Sequence, residues 1–222
     1  MTRDDIMAVQ RLLRALGRDV AVDGLWGPES RRATSEALRA AVGVVPMEWL
    51  GFAEMDRVIF HWTAGRHTAN AGDRQHYHIL IEGDGTLIRG VDVSMNEAPL
   101  KAGYAAHTLN CNQGSIGVAL CGMIGAQERP FVPGPEPITQ AQWDMLPRVI
   151  ADLCRAYGIP VLPRTVLSHA EVQGTLGIRQ RGKWDIARLP FDLGTVGADA
   201  IGDEVRAATE LALRNVTATL TA

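Results

Sequence analysis

Length, composition and charge exclude several classes of protein. The 222 residues carry 46% hydrophobic and 21% charged side chains with a net charge of −3, which predicts a globular chain rather than a disordered one. A surface for nucleic acid or for an anionic membrane would need a strong basic excess, so neither partner is expected. Cys111, Cys121 and Cys154 are widely spaced and predict free thiols rather than a disulfide framework.

The first 43 residues predict a small helical module. Apolar residues at helical spacing define a helix that Gly17 would end, and Pro28 suits the first turn of a second helix. The segment VDGLWGPESRRA resembles the signature of three-helix, PGBD-like peptidoglycan-binding domains, Asp-Gly-x-aromatic-Gly-x-x-Ser/Thr-x-x-Ala. The resemblance implies wall binding, with Asp23 and Trp26 as candidates. The alternative is a helical cap that only packs on the main domain.

Residues 57–196 predict a mixed α/β domain, which follows a linker at residues 44–56. VIFH, SIGVALCG and VLSH are short apolar runs typical of buried strands. HYHILIEGDGTLIRG predicts two further strands joined in a hairpin at Gly83-Asp84-Gly85. The length of 222 residues fits one domain of ordinary size plus a small module better than two full domains.

Two longer helices are predicted in the second half of the chain. The first begins near Thr139, which forms a capping-box pattern with Gln142, and runs to about residue 157. The C-terminal segment, residues 197–222, predicts a helix with a net negative face. Such a face disfavours a membrane-disrupting tail, so we expect this helix to pack on the domain or on a partner chain.

Two of the six histidines lie where apolar strands end, His61 in VIFH and His169 in VLSH. A residue at the end of a strand is held rigidly and can face a cleft. Further along, GKWD contributes Lys183 and Asp185. A catalytic zinc site uses three protein ligands and keeps one position open for water. Spacing alone leaves two interpretations. The histidines either bind zinc or lie in the core with their hydrogen bonds satisfied.

The motifs VIFHWTAG, HYHILIEGDGTLIRG, AAHTLNCNQGSIGVALCG, VLSHAEV and GKWD, in this order, resemble the zinc-dependent N-acetylmuramoyl-L-alanine amidases of the amidase-2 family. The bacteriophage T7 lysozyme and the peptidoglycan recognition proteins share that fold. The resemblance runs from about residue 58 to residue 193. It implies an α/β fold with a central mixed β-sheet flanked by helices, here preceded by the small three-helix module. It also implies a zinc-activated water that cleaves the amide between N-acetylmuramic acid and L-alanine.

The resemblance also implies roles for individual residues. The implied zinc ligands are His61, His169 and Asp185. The implied catalytic residues are Tyr77 over the attacking water, Lys183 at the developing oxyanion and His107 in the same cleft. The implied substrate-binding residues are Asn112 and Thr63.

The sequence departs from the family pattern beside these residues. Ala119 stands where some members carry a glutamate base, so the water-positioning role falls on Tyr77. Ile186 and Ala187 follow Asp185 in place of the usual Pro-Gly. Glu171 is therefore an alternative third ligand.

The stretch RQHYHILIEGDG allows two interpretations. His76 and His78 would point to the same face of a strand and could hold a metal, whereas Tyr77 would point to the opposite face. If Tyr77 faces the metal, the two histidines face away. We therefore interpret them as packing residues and the tyrosine as the functional residue.

An endolysin of a phage or prophage is the favoured interpretation of the whole chain. The charged N-terminus lacks the apolar region of a signal peptide, and no apolar run approaches the length of a membrane span. We expect a monomer that is cytoplasmic when synthesised and that reaches the cell wall after holin-dependent release. The alternatives are a recognition protein that binds peptidoglycan without cleaving it and a cytosolic amidase that recycles muropeptides.

Overall fold

The computed structural model describes residues 1–15, 18–40 and 43–221, without the side chains of residues 35–40 and 215–221. The helices are α1 (Arg3–Ala15), α2 (Pro28–Ala40), α3 (Ala71–His76), α4 (Gln140–Tyr157), α5 (His169–Leu176) and α6 (Ala198–Thr221). The strands are β1 (Arg57–Trp62), β2 (Ile79–Ile81), β3 (Leu87–Arg89), β4 (Ser115–Leu120) and β5 (Val166–Ser168). Short 3-10 helices occupy Met47–Trp49 and Val93–Asn96. In these described ranges no helix combines the length and apolarity needed to span a bilayer.

The five strands form one sheet in the order β3-β2-β4-β1-β5. β1 pairs in parallel with β4 and with β5, and β2 pairs in parallel with β4. β2 and β3 form the antiparallel hairpin that the turn at Gly83-Asp84-Gly85 predicts. β1 and β4 are almost entirely buried, as expected of parallel strands covered by helices on both faces. The mixed α/β fold with a central sheet flanked by helices is confirmed.

The buried helix α4 begins and ends at signals that are present in the local sequence. The side chain of Thr139 accepts from the backbone of Gln142, and the side chain of Gln142 accepts in return, which completes the predicted capping box. The helix ends at Gly158, where φ is +67°, a value that glycine adopts without strain. Leu146 and Ile150 on its apolar stripe belong to the main core cluster with the sheet.

The C-terminal helix α6 packs on its own domain, which is one of the two predicted arrangements. Arg206 reaches from α6 to the carbonyl oxygen of Val166 in β5 at 2.8 Å. It also forms a buried ion pair of 2.9 Å with Glu171 of α5. Gly202 allows this approach, because a side chain there would collide with the Glu171 carboxylate.

Polar contacts hold together the two helices of the N-terminal module. The buried amide of Gln10 donates to Asp23 (2.9 Å) and Ser30 (2.9 Å) and accepts from the backbone of Gly24 (2.9 Å). Gly24 has a φ of +74°, and any Cβ there would collide with Arg3. A separate small core lies beneath these contacts, formed by Leu13, Val20 and Ala33.

The resemblance predicts three helices for this module, but residues 1–15 and 18–40 contain two. The physical reason is that residues 23–25, before α2, are held as a loop by Gln10 rather than by their own helical bonds. The predicted end of the first helix at Gly17 lies outside the described residues.

The segment of residues 44–56, the predicted linker, packs against α4. Asp152 of α4 accepts from the backbone of Val45 at 3.0 Å, and Tyr157 donates to the carbonyl oxygen of Gly51 at 2.9 Å. Leu50 is buried, whereas Phe52 keeps 52% of its surface exposed.

Candidate metal centre

The register of the sheet brings two histidines to one edge. Phe60 of β1 pairs with Ser168 of β5, so the residues that follow, His61 and His169, lie side by side. Ser168 also caps α5 by accepting from the backbone of Glu171, which turns the chain into the helix at His169. His61 lies one residue before the end of β1, and both imidazoles are buried at the carboxyl edge of the parallel strands.

Contacts on both sides fix the third residue of the centre, Asp185. Its carbonyl oxygen accepts from the backbone of Ala170 at 2.7 Å. The preceding Trp184 packs edge-on against Trp62, with ring centroids 4.5 Å apart, and the following Ile186 is fully buried. The Ile-Ala sequence in place of Pro-Gly therefore leaves the carboxylate anchored.

Three side-chain atoms form an equilateral triangle at this edge of the sheet. Nδ1 of His61, Nδ1 of His169 and Oδ2 of Asp185 are each 3.1 Å from the other two. A tetrahedral zinc ion with bonds of about 2.0–2.2 Å would hold its ligand atoms about 3.3–3.6 Å apart, slightly farther than the distances observed here. Among the described residues this is the group of His, Cys, Asp or Glu side chains that could hold a metal ion.

Gln180 determines which nitrogen of His169 carries a hydrogen. The side-chain Nε2 of Gln180 donates to the carbonyl oxygens of Leu109 (2.9 Å) and Ile178 (3.3 Å), so its Oε1 faces Nε2 of His169 at 2.9 Å. An amide oxygen only accepts, so His169 carries its hydrogen on Nε2. Its Nδ1 therefore presents a lone pair to the triangle.

His107 has the same effect on His61. Nε2 of His107 lies 3.3 Å from the carbonyl oxygen of Ser115 and must donate to it. Its Nδ1 is left as an acceptor, 2.8 Å from the hydroxyl of Thr108 and 3.2 Å from Nε2 of His61, an arrangement that accommodates a hydrogen on Nε2 of His61 with Nδ1 facing the triangle. Gly117 permits this packing, because a Cβ there would lie 2.6 Å from the His107 ring.

The charge state of the triangle favours a cation at its centre. Burial would raise the pKa of Asp185, but the close contacts with the His169 and His61 side chains outweigh burial and lower the pKa to about 2. Burial lowers the pKa of His61 to about 4, although Asp185 partly opposes this. Asp185 is thus ionised and His61 uncharged near neutral pH, so a carboxylate charge is available to a cation in the triangle. Two imidazoles and a carboxylate are a ligand set that zinc accepts, so the residues present fit the ion.

The segment before β2 corrects one sequence interpretation. Residues 76–78 were expected on a strand, but α3 ends at His76 and β2 begins only at Ile79. A capping box of Asn70 and Asp73 starts this short helix, and local capping outweighs the alternating pattern. Strand alternation therefore does not decide the directions of these side chains.

The three residues of this segment nevertheless have separate surroundings. His76 is exposed and bonds to the carbonyl oxygen of Gly72, within its own helix. His78 is buried and accepts from the backbone of Gly117 at 2.8 Å. The ring of Tyr77 stands 5.2 Å from that of His61, so the tyrosine is the member of this segment that lies beside the triangle.

A groove of about 650 Å³ opens next to His169. Lys183 and Arg181 contribute two cations to its lining, and no carboxylate is among the described residues that line it. His107 and Asn112 line it as well. Oδ1 of Asn112 accepts from the backbone of His107 at 3.0 Å, so it holds the loop that carries this histidine.

The remaining predicted residues lie apart from the triangle. Oγ1 of Thr63 accepts from the backbone of Gly65 and Gly122, after the end of β1. Asp23 and Trp26 belong to the N-terminal module. Glu171, the alternative ligand, is paired with Arg206 of α6 and is not part of the cluster.

Gln180 is the residue that sequence reasoning missed. It is 3% exposed and contacts His169 directly. Because Arg179 and Arg181 flank it, the sequence pattern of this segment is typical of a charged loop exposed to solvent. The only available signal is an uncharged polar residue between cations, three positions before Lys183.

The sequence profile of the Amidase_2 family, described as N-acetylmuramoyl-L-alanine amidase, matches residues 51–186, more than half of the chain. The chain belongs to the amidase-2 family. The amidase-2 match includes all five strands, the three residues of the triangle and Lys183. The N-terminal module and α6 lie outside it.

The structure is also similar to a solved structure described as "Endolysine N-acetylmuramoyl-L-alanine amidase LysCS from Clostridium intestinale URNW". The two chains are 17% identical, with a TM-score of 0.42, over 71% of this chain and 85% of that one. A comparison with curated proteins finds no match. The assignment to the amidase-2 family therefore rests on the sequence profile.

Proposed function

We propose that this amidase-2 member is a zinc-dependent peptidoglycan hydrolase that cleaves the amide bond between N-acetylmuramic acid and L-alanine. Membership of the family supports the amidase activity. The observation that carries the zinc dependence is the triangle of lone pairs on His61, His169 and Asp185, with 3.1 Å between each pair of atoms.

In this proposal His61, His169 and Asp185 hold the ion. When bound, zinc would polarise the amide carbonyl and supply a hydroxide nucleophile near neutral pH. Lys183, an exposed cation in the lining of the groove, stabilises the negative charge that develops on the amide oxygen. The described lining of the groove includes this cation and no carboxylate. No negatively charged residue of that lining would therefore repel the developing negative charge on the amide oxygen.

Tyr77 acts as a hydrogen-bond donor in this proposal. Burial, reinforced by the negative charge of Asp185, raises the pKa of its phenol above the ordinary value, so the hydroxyl keeps its hydrogen at neutral pH. A protonated phenol is a poor base but can orient the attacking water and pass a proton toward the leaving amine. His107 assists by holding His61 in the tautomer described above.

The roles in substrate binding follow from contacts and from the resemblance. Asn112 shapes the groove by holding the backbone of its loop, and Thr63 keeps the chain after β1 in its conformation. The N-terminal module binds the cell wall through Asp23 and the partly exposed ring of Trp26. The enzyme is an endolysin that is made in the cytoplasm and acts as a monomer after holin-dependent release.

Digestion of purified cell walls tests this function. Mass spectrometry should find new N-terminal L-alanine and no new reducing sugar ends. A chelator should abolish the activity, and added Zn²⁺ should restore it. New reducing ends would identify a glycosidase instead, and activity that survives chelation would remove zinc from the reaction.

Assays on cell walls and on soluble muropeptides also distinguish the two alternative functions. A recognition protein would bind the walls without releasing any product. A recycling amidase would cleave soluble muropeptides faster than intact sacculi, whereas an endolysin should cleave the sacculi. Lysis of cells that co-express a holin, compared with cells that do not, tests the route of release.

A further inference from the structure

The buried amide of Gln180 connects three separate parts of the domain. Its Nε2 donates to the carbonyl oxygen of Leu109 in the groove, at 2.9 Å. Its backbone N–H donates to the side chain of Gln173 in α5, at 3.0 Å. Its Oε1 lies 2.9 Å from Nε2 of His169. Because the amide nitrogen faces carbonyl oxygens, the orientation of the group is fixed.

We propose that Gln180 is a positioning residue of the metal centre, which sets the tautomer and the ring orientation of His169 so that Nδ1 faces the ion. This inference rests on the proposed zinc dependence. A histidine that binds a metal through one ring nitrogen needs an acceptor for the hydrogen on the other. Gln180 is the side chain that provides it here.

An uncharged acceptor has a further consequence. The triangle already holds one carboxylate, Asp185, and a second one behind His169 would lower the net charge of the loaded centre. The carboxamide of Gln180 orients the imidazole without adding charge. Glutamate at position 180 would keep the acceptor, whereas methionine would keep the side-chain length and remove it.

Zinc affinity of the full-length protein tests the role without relying on catalysis. The protein is stripped of metal, and the Zn²⁺ dissociation constant is measured by competition with a coloured chelator. Loss of such a partner weakens metal binding about 10- to 100-fold, and we expect this for Gln180→Met. Gln180→Glu should restore affinity to within a few-fold of wild type. The visible spectrum of the Co²⁺ form should change in the methionine variant and not in the glutamate variant.

Gln142→Met is the matched control. Gln142 is an equally buried glutamine whose amide donates to the carbonyl oxygens of Ile81 and Cys121 at 2.7 Å, away from the triangle. It should lose stability without losing zinc affinity. If Gln180→Met does not fold, Gln180→Asn, which is too short to reach His169, replaces it.

The outcomes separate this inference from the proposed function. Wild-type protein that binds no Zn²⁺ would overturn the proposed function itself. Zinc binding in wild type with unchanged affinity in Gln180→Met would overturn only the role of Gln180. Equal weakening in the Gln142 variant, or no rescue by glutamate, would also overturn it, because general destabilisation would then explain the loss.

Discussion

The N-terminal module and the metal centre both contain buried polar side chains from sequence motifs, but they use them in opposite ways. In the module, the donors of Gln10 meet acceptors on Asp23 and Ser30, and its acceptor meets the N–H of Gly24. In the metal centre, neighbouring donors are engaged elsewhere, and three acceptors are turned toward one another at 3.1 Å.

This difference separates motif residues that build a fold from motif residues that build a site. A buried polar network is stable when its donors and its acceptors are all paired. Gln10 and its partners satisfy that rule with atoms of the module alone. The three facing atoms of the candidate metal centre would be matched by a bound cation, so this motif indicates a ligand as well as a structure.

The largest loss of zinc binding and turnover is expected when one of the three acceptors of the triangle is replaced by a donor. Asp185→Asn introduces an N–H₂ group that can donate to the bare Nδ1 of His61 or His169, so the triangle no longer needs a cation. We expect zinc binding to be lost and turnover to fall on the order of 10⁴-fold, as when a central catalytic group is removed. Asp152→Asn, a buried carboxylate that contacts the linker, should keep both. Wild-type zinc content in Asp185→Asn would contradict the assignment.

The parts of the structure set by local chemistry were predictable. The capping box at Thr139 marks α4, and the apolar runs ending in His61 and His169 mark two neighbouring strands. The short helix α3 was missed, although Asn70 and Asp73 carried its capping signal. Gln180 could not be found, because its role depends on a carbonyl oxygen 71 residues away in the chain. Contacts of that kind follow from the tertiary fold rather than from spacing.

Removing a cation from the groove tests the electrostatic part of the site. Lys183→Met should lower kcat by about 10²- to 10³-fold, or about 2.7–4 kcal/mol of barrier, because the developing oxyanion loses a donor. Zinc affinity should not change. Arg179, an exposed cation of the same loop, does not line the groove. Arg179→Met should therefore leave kcat unchanged. Equal losses in both variants would indicate a general effect of charge.

Tyr77→Phe removes only a hydroxyl beside the triangle. A hydrogen bond to a charged partner contributes about 1.5–3 kcal/mol, so turnover should fall about tenfold to a hundredfold while bound zinc remains at one ion per chain. Tyr157→Phe, which removes a hydroxyl bonded to the linker at Gly51, should leave turnover unchanged. Full turnover in Tyr77→Phe would remove the tyrosine from the mechanism.

The smallest effect on catalysis is expected in the module. Gln10→Met leaves the N–H of Gly24 and the side chain of Ser30 without their buried partner, which should destabilise the module by about 1–3 kcal/mol. Turnover of soluble muropeptides should not change, whereas sedimentation with intact sacculi should weaken. Trp26→Ala keeps the Gln10 network and should weaken sedimentation without destabilising the module. If neither variant affects sedimentation, the module is a structural cap, and its satisfied polar network serves the fold alone.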